Sequence, residues 1–76
     1  EFILSYISVT DAENYISPEK RSIEILICCS GKAMFTEPGR EYSLEVSKGL
    51  SVVIPSAVAR YEIKGNAVFY KASVPV

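Results

Sequence analysis

Short stretches in which apolar and polar side chains alternate follow one another along almost the whole chain. Alternation with a period of two is typical of β-strands, because successive side chains of a strand point to opposite faces of the sheet. β-Branched and aromatic residues, which favour strands, are concentrated in the same stretches. The pattern predicts about seven short strands, at residues 2–9, 23–29, 33–36, 42–46, 51–54, 59–63 and 67–74.

Residues that favour turns separate the predicted strands. They are Ser17-Pro18, Ser30-Gly31-Lys32, Glu37-Pro38-Gly39, Lys48-Gly49, Ile54-Pro55-Ser56 and Gly65-Asn66. Residues 11–15 are the one stretch with the pattern of a helical turn, with Thr10 or Asp11 as its cap. Short strands joined by turns are typical of an antiparallel sandwich or barrel, so we expect an all-β fold.

The alternation also predicts which side chains face the core. In residues 23–29 the isoleucines at the odd positions form the apolar set, which places Glu24 on the opposite, solvent-facing side. In residues 59–63 Tyr61 and Ile63 belong to the apolar set, which turns Arg60 toward solvent.

Length and charge narrow the classes of function. The chain has 76 residues, of which 49% are hydrophobic and 22% charged, as in one small globular domain. Eight Lys and Arg side chains stand against nine Asp and Glu, for a net charge of −1. This balance lacks the basic surface that binding to nucleic acids or anionic membranes requires, so we expect neither partner.

The residue types that are missing or isolated restrict the chemistry further. The chain has no His, which excludes Ser-His-Asp and Cys-His catalysis and imidazole metal ligands. Cys28 and Cys29 are adjacent, and neighbours on a strand point to opposite faces, so an ordinary disulfide between them is not expected. Two thiols alone do not form a zinc site. We therefore expect reduced cysteines and a cytoplasmic protein.

The segment after the Lys48-Gly49 turn resembles the second sequence motif of the cupin family. Five residues separate Gly49 from Pro55, as they separate the glycine and the proline of that motif. Ala57 stands where the motif has its second glycine, and Arg60 stands where it has a metal-binding histidine. The resemblance implies a small cupin-like jelly-roll barrel in which glycine and proline still shape the turns.

The first cupin motif has a partial counterpart earlier in the chain. Glu24 and Gly31 are separated by six residues, as are the glutamate and glycine of that motif, but its His-x-His pair is missing. A zinc or iron site needs three or four donors, and Glu24 is the only one that keeps its place. We expect no metal, cofactor or catalytic residue within residues 1–76.

Three longer segments resemble the C-terminal cupin domain of type I mannose-6-phosphate isomerases. Residues 1–7 resemble the strand that opens that domain, residues 22–33 resemble its strand pair around a glycine, and residues 63–72 resemble its last strand. The three segments follow the order of that family and together extend over nearly the whole chain.

The resemblance implies a function for a longer parent protein. That family interconverts mannose 6-phosphate and fructose 6-phosphate with a zinc ion held by a Gln, two His and a Glu in an upstream catalytic domain. None of these ligands corresponds to a residue of this chain. We therefore expect residues 1–76 to be a single, non-catalytic C-terminal domain, a piece of a longer chain whose partner is that catalytic domain.

Two other classes of function remain open. The first is a free-standing, metal-free cupin that binds a small ligand or forms dimers. The second is an independent enzyme built on carboxylate, Lys, Tyr or Cys chemistry, for which the sequence indicates no acid–base pair.

Several polar and aromatic side chains have both a functional and a plain structural interpretation. Glu24 and Arg60 would form an ion pair inside a cupin barrel, whereas the alternation places both in solvent. The basic residues Lys20, Arg21, Lys32 and Arg40 would bind a phosphate or simply pair with nearby glutamates. The five tyrosines would stack on a sugar or lie at the edge of the core; they are Tyr6, Tyr15, Tyr42, Tyr61 and Tyr70.

An excised domain is expected to expose the surface that contacted its partner. We expect this surface to contain either Ile3, Ile7 and Val9, or Val68, Tyr70 and Val74. We expect the isolated chain to self-associate through a sheet edge or face, with twofold symmetry.

Overall fold

A computed structural model of the chain describes residues 2–18, 20, 22–39 and 43–74. Within these ranges the regular structure consists of six strands, all paired antiparallel. They are β1 (Ile3–Val9), β2 (Tyr15–Ile16), β3 (Glu24–Thr36), β4 (Ser43–Ser47), β5 (Ser51–Ile54) and β6 (Glu62–Ser73). The predicted all-β antiparallel fold is confirmed. A search of the described residues for a helix long and apolar enough to cross a membrane finds none.

Two long strands form the centre of the sheet. β3 and β6 pair from Glu24 opposite Ser73 to Thr36 opposite Glu62. β1 and then β2 pair with the other edge of β6, while β5 and β4 pair with the other edge of β3. Each outer position of the sheet is thus filled by two short strands in line. The sheet is open, and the described strands do not close into a barrel.

Two predicted turns lie inside strands. The glycines of these turns, Gly31 in β3 and Gly65 in β6, are opposite Ala67 and Ala33 respectively on the neighbouring strand. Both have positive φ values, 78° and 133°, so the backbone bends at each while the strands stay paired. The predicted pairs of short strands on either side of these glycines therefore merge, which reduces seven predicted strands to five; β2, which was not predicted, is the sixth strand among the described residues.

The segment predicted as a helical turn is a tight turn between strands. The backbone N–H groups of Thr10 and Glu13 each donate to the other's carbonyl oxygen, both at 3.1 Å. Extended backbone resumes at Tyr15 because β2 pairs there with β6. The prediction of a helical turn at residues 11–15 is therefore wrong. Tyr42, at the start of a predicted strand, lies outside the described residues.

The core lies on one face of the sheet, which we call the inner face. Buried hydrophobic side chains form a continuous cluster there. Its members are Ile7, Val9, Leu26, Cys28, Ala33, Phe35, Val46, Ile54, Tyr61, Ile63, Ala67 and Phe69. Phe69 lies at its centre, with its ring 5.4 Å from that of Phe35 in an edge-to-face contact.

The first half of β3 faces the opposite way from the prediction. Leu26 and Cys28 are buried, whereas Ile23, Ile25 and Ile27 are 45–49% exposed. The cause is a bulge in β3 between Cys28 and Ser30, where the register with β6 shifts. An extra residue reverses the order of inward and outward side chains. The even positions before the bulge and the odd positions after it therefore share the inner face.

Candidate functional site

A cluster of four polar side chains lies on the inner face. Glu24 begins β3, Tyr61 precedes β6, Lys71 lies near the end of β6, and Tyr15 begins β2. The reversed face of β3 turns Glu24 inward, where it is only 2% exposed. We call these four residues the Glu24 cluster.

Both carboxylate oxygens of Glu24 have partners. The hydroxyl of Tyr61 donates to one oxygen at 2.5 Å, and Lys71 Nζ lies 3.5 Å from the other. Lys71 Nζ also donates to the hydroxyl of Tyr15 at 3.3 Å and lies 5.7 Å from the centre of the Tyr15 ring. The side chains of Glu24 and Lys71 are 3% and 12% exposed, so the ion pair is largely removed from water.

A second pair of hydrogen bonds fixes Tyr61 in place. The backbone N–H of Tyr61 donates to Ser17 Oγ at 2.9 Å, and the backbone N–H of Ser17 donates to the carbonyl oxygen of Tyr61 at 2.9 Å. Ser17 is 2% exposed, so these bonds satisfy buried polar groups. These two bonds join the segment that precedes β3, which contains Ser17, to the segment that precedes β6, which contains Tyr61.

The geometry of the Glu24 cluster fits a structural role. A buried carboxylate is costly unless it is paired with an opposite charge and with hydrogen-bond donors, and Glu24 has both. Lys71 likewise has a carboxylate, a hydroxyl and an aromatic ring as neighbours. The cluster joins β2, β3 and β6 through side chains as well as through the sheet.

The structure separates the two residues that the sequence suggested as an internal pair. Glu24 is buried and its ion-pair partner is Lys71, so its predicted solvent-facing position is wrong because of the bulge in β3. Arg60 is exposed as predicted, and it lines a surface depression with Glu37 and Pro38. Arg60 therefore takes no part in the Glu24 cluster.

Sequence reasoning missed Lys71. In β6, Lys71 is separated by an even number of positions from Ile63, Ala67 and Phe69, so its side chain lies on the same inner face. A lysine in that otherwise apolar set is the signal that could have identified it, since such a lysine requires a buried partner.

The tyrosines divide between the two faces of the sheet. Tyr15 and Tyr61 lie on the inner face with ring centres 6.1 Å apart, whereas Tyr6 and Tyr70 form an edge-to-face pair on the outer face at 5.7 Å. Tyr42 lies outside the described residues. The four described rings therefore do not form one stacking platform.

The basic residues also lie apart from the Glu24 cluster. Lys32 forms an exposed ion pair with Glu45 at 3.6 Å, and Lys20 is exposed. Arg21 and Arg40 lie outside the described residues. Among the residues that the structure describes, no group of three or more Cys, Asp or Glu side chains is arranged to hold a metal ion.

The two cysteines differ in environment. Both are free thiols; Cys28 is buried, and Cys29 at the bulge is half-buried. Burial raises the pKa of the Cys28 thiol, although a hydrogen bond with the Ser30 backbone opposes this effect. Because the thiolate is the reactive form, the two thiols should react at different rates.

We expect iodoacetamide to alkylate Cys29 at least about tenfold faster than Cys28 in the folded chain, because burial restricts both access and ionisation. Mass spectrometry of peptides from Cys28→Ser and Cys29→Ser variants measures each thiol separately. Alkylation in urea is the control and should remove the difference. Equal rates in the folded chain would contradict the burial of Cys28.

Comparison of the chain with known protein families, with curated proteins and with solved structures finds no match.

Proposed function

We propose that this chain is the non-catalytic C-terminal domain of a zinc-dependent, type I mannose-6-phosphate isomerase. The observation that carries the proposal is the arrangement of the three segments that resemble that family. They contain most of β1, most of β3 and most of β6, which are three adjacent strands of the sheet, with β6 in the middle. Segments far apart in the chain thus form one contiguous unit.

The two glycines of the resembling segments support the same proposal. A Cβ atom at Gly31 would lie 2.0 Å from the carbonyl oxygen of Asn66, and one at Gly65 would lie 2.8 Å from that of Lys32. Glycine at both positions therefore lets β3 and β6 approach each other closely. This is a physical reason for both segments to keep a glycine at these positions.

The Glu24 cluster supports the non-catalytic part of the proposal. Its carboxylate and ammonium groups bind each other and two tyrosine hydroxyls within the core, so they act on the fold. In this proposal the chemistry and the zinc belong to the upstream domain of a cytoplasmic parent enzyme. The domain packs against that catalytic domain.

The coding sequence that surrounds residues 1–76 tests the proposal. We expect it to continue upstream of Glu1 for a catalytic cupin domain that contains a Gln, two His and a Glu as zinc ligands. The purified parent should convert mannose 6-phosphate to fructose 6-phosphate, and residues 1–76 alone should not. A reading frame that starts within a few residues of Glu1 would contradict the proposal.

A second candidate, a metal-free cupin that binds a small ligand, is favoured by one observation. Apolar side chains line an open cavity of about 160 Å³ beside Tyr61, including Phe35, Leu44 and Val52. A ligand would have to be small and largely apolar to fit it. Ligand-observed NMR with a library of small apolar compounds, using Leu44→Glu as the control, tests this candidate; binding that the substitution abolishes would support it.

A further inference from the structure

The outer face of the sheet is divided into an apolar half and a charged half. In the apolar half, Leu4, Ala72, Ile25 and Val53 form one row across four strands. Tyr6, Tyr70, Ile27 and Ser51 form the next row. We call these eight residues the outer apolar patch.

The outer apolar patch is well exposed and carries no charge. The exposed fractions of its six large side chains range from 45% for Ile25 to 71% for Leu4. At one end, Phe2, Ile23 and Val74 extend it around a shallow apolar cavity. At the other end the outer face becomes charged, with Lys32 paired with Glu45.

Such a patch is unusual on one face of a sheet whose other face already holds the core. Antiparallel sheets commonly have one apolar and one polar face, and the charged half of this sheet follows that rule. Domains normally bury an apolar sheet face against a second layer. Among the described residues, no second layer covers the apolar half of the outer face.

We propose that a second copy of this chain covers the outer apolar patch, so that two sheets pack face to face about a twofold axis. A twofold axis places the same surface on both partners, and an uncharged patch meets its own copy without repulsion between like charges. The two sheets would lie about 10 Å apart, as in a β-sandwich. The charged half would remain at the rim, in contact with water.

The size of the patch fits this partner. Four strands at about 4.8 Å and two rows of side chains at about 6.7 Å give the outer apolar patch a projected area of roughly 260 Å², and the adjoining residues Phe2, Ile23 and Val74 raise it to roughly 350 Å². The uneven surface of the side chains and the residues around the edge of the patch add to this area. A standard interface buries roughly 800 Å² per partner. The patch is thus large enough to form the apolar centre of a dimer interface of ordinary size.

The proposal goes beyond the proposed function, and its test does not depend on isomerase activity. Sedimentation equilibrium of the native chain from micromolar to millimolar concentration should give a mass rising from 8.4 kDa to twice that value. Ile25→Glu, which places a charge at the centre of the patch, should raise the dissociation constant at least about a hundredfold. Met34→Glu is the matched control, since Met34 lies on the outer face of the same strand in the charged half.

A measurement on the native chain guards against variants that misfold. In methyl NMR spectra, the signals of Leu4, Ile25 and Ile27 should shift on dilution, whereas those of the buried Leu26 and Ile63 should not. A native chain that stays monomeric at millimolar concentration, or a dimer that Ile25→Glu leaves intact, would overturn the proposal. Neither result would affect the coding sequence upstream of Glu1, so the two proposals fail separately.

Discussion

Replacing Glu24 with Ala is expected to lower the free energy of unfolding by about 3 kcal/mol or more. The substitution leaves Lys71 without its carboxylate and Tyr61 without the acceptor of its hydroxyl. Both groups are largely buried, so water does not fully replace the lost partner. A domain of this size is stabilised by roughly 4–11 kcal/mol in total. Urea unfolding followed by circular dichroism measures the loss.

Two comparisons separate the contribution of the ion pair from the effect of shortening a side chain. Glu45→Ala removes an exposed ion pair with Lys32 and should cost less than about 1 kcal/mol. The double variant Glu24→Gln with Lys71→Met removes both charges while leaving Tyr61 an acceptor. It should be more stable than the sum of the single losses predicts. A loss below about 1 kcal/mol for Glu24→Ala would contradict a buried, paired carboxylate.

Gly31→Ala is expected to cost about 3 kcal/mol or more, because it forces apart the two central strands. The added Cβ would lie 2.0 Å from the backbone oxygen of Asn66, and backbone atoms cannot move aside as a flexible side chain does. The φ value of 78° adds a conformational cost of about 1–2 kcal/mol for any L-residue other than glycine. Thermal and urea unfolding measure the combined effect.

Gly49→Ala is the matched control for this prediction. Gly49 also has a positive φ, 93°, but no atom beyond its two neighbours in the chain lies within 4 Å of the position that its Cβ would take. Its replacement should therefore show the conformational cost alone, about 1–2 kcal/mol. Equal losses at Gly31 and Gly49 would mean that β3 and β6 do not approach each other closely at Gly31.

The sequence predicts individual strands better than it predicts their boundaries and faces. Ser51–Ile54 is found with the predicted bounds, and β1 differs by one residue at its start. At Gly31 and Gly65 the sequence predicts turns, because local sequence does not reveal that each glycine has a partner strand beside it. The two bends lie beside each other only because β3 pairs with β6, a strand that is far from it in the sequence.

The Glu24 cluster was not predictable for a related reason. Ile23, Ile25 and Ile27 alternate with Leu26 and Cys28, so both faces of the first half of β3 are apolar and periodicity cannot decide between them. The bulge determines which face of the first half of β3 is buried, and nothing in the residues from Cys28 to Ser30 predicts the bulge. Once the face is reversed, a buried Glu24 requires a cation, and Lys71 is directly opposite Leu26 on β6.

The interrupted outer strands determine how far association between copies can extend. A long, regular edge strand offers a template to which further chains add one after another, as in fibrils. Here one edge is broken between β1 and β2, and the other between β4 and β5, which have five and four residues. An incoming strand therefore finds stretches of at most seven residues to pair with, the length of β1. Growth along the hydrogen-bonding direction is disfavoured, so the proposed contact through the outer apolar patch would yield an assembly of finite size.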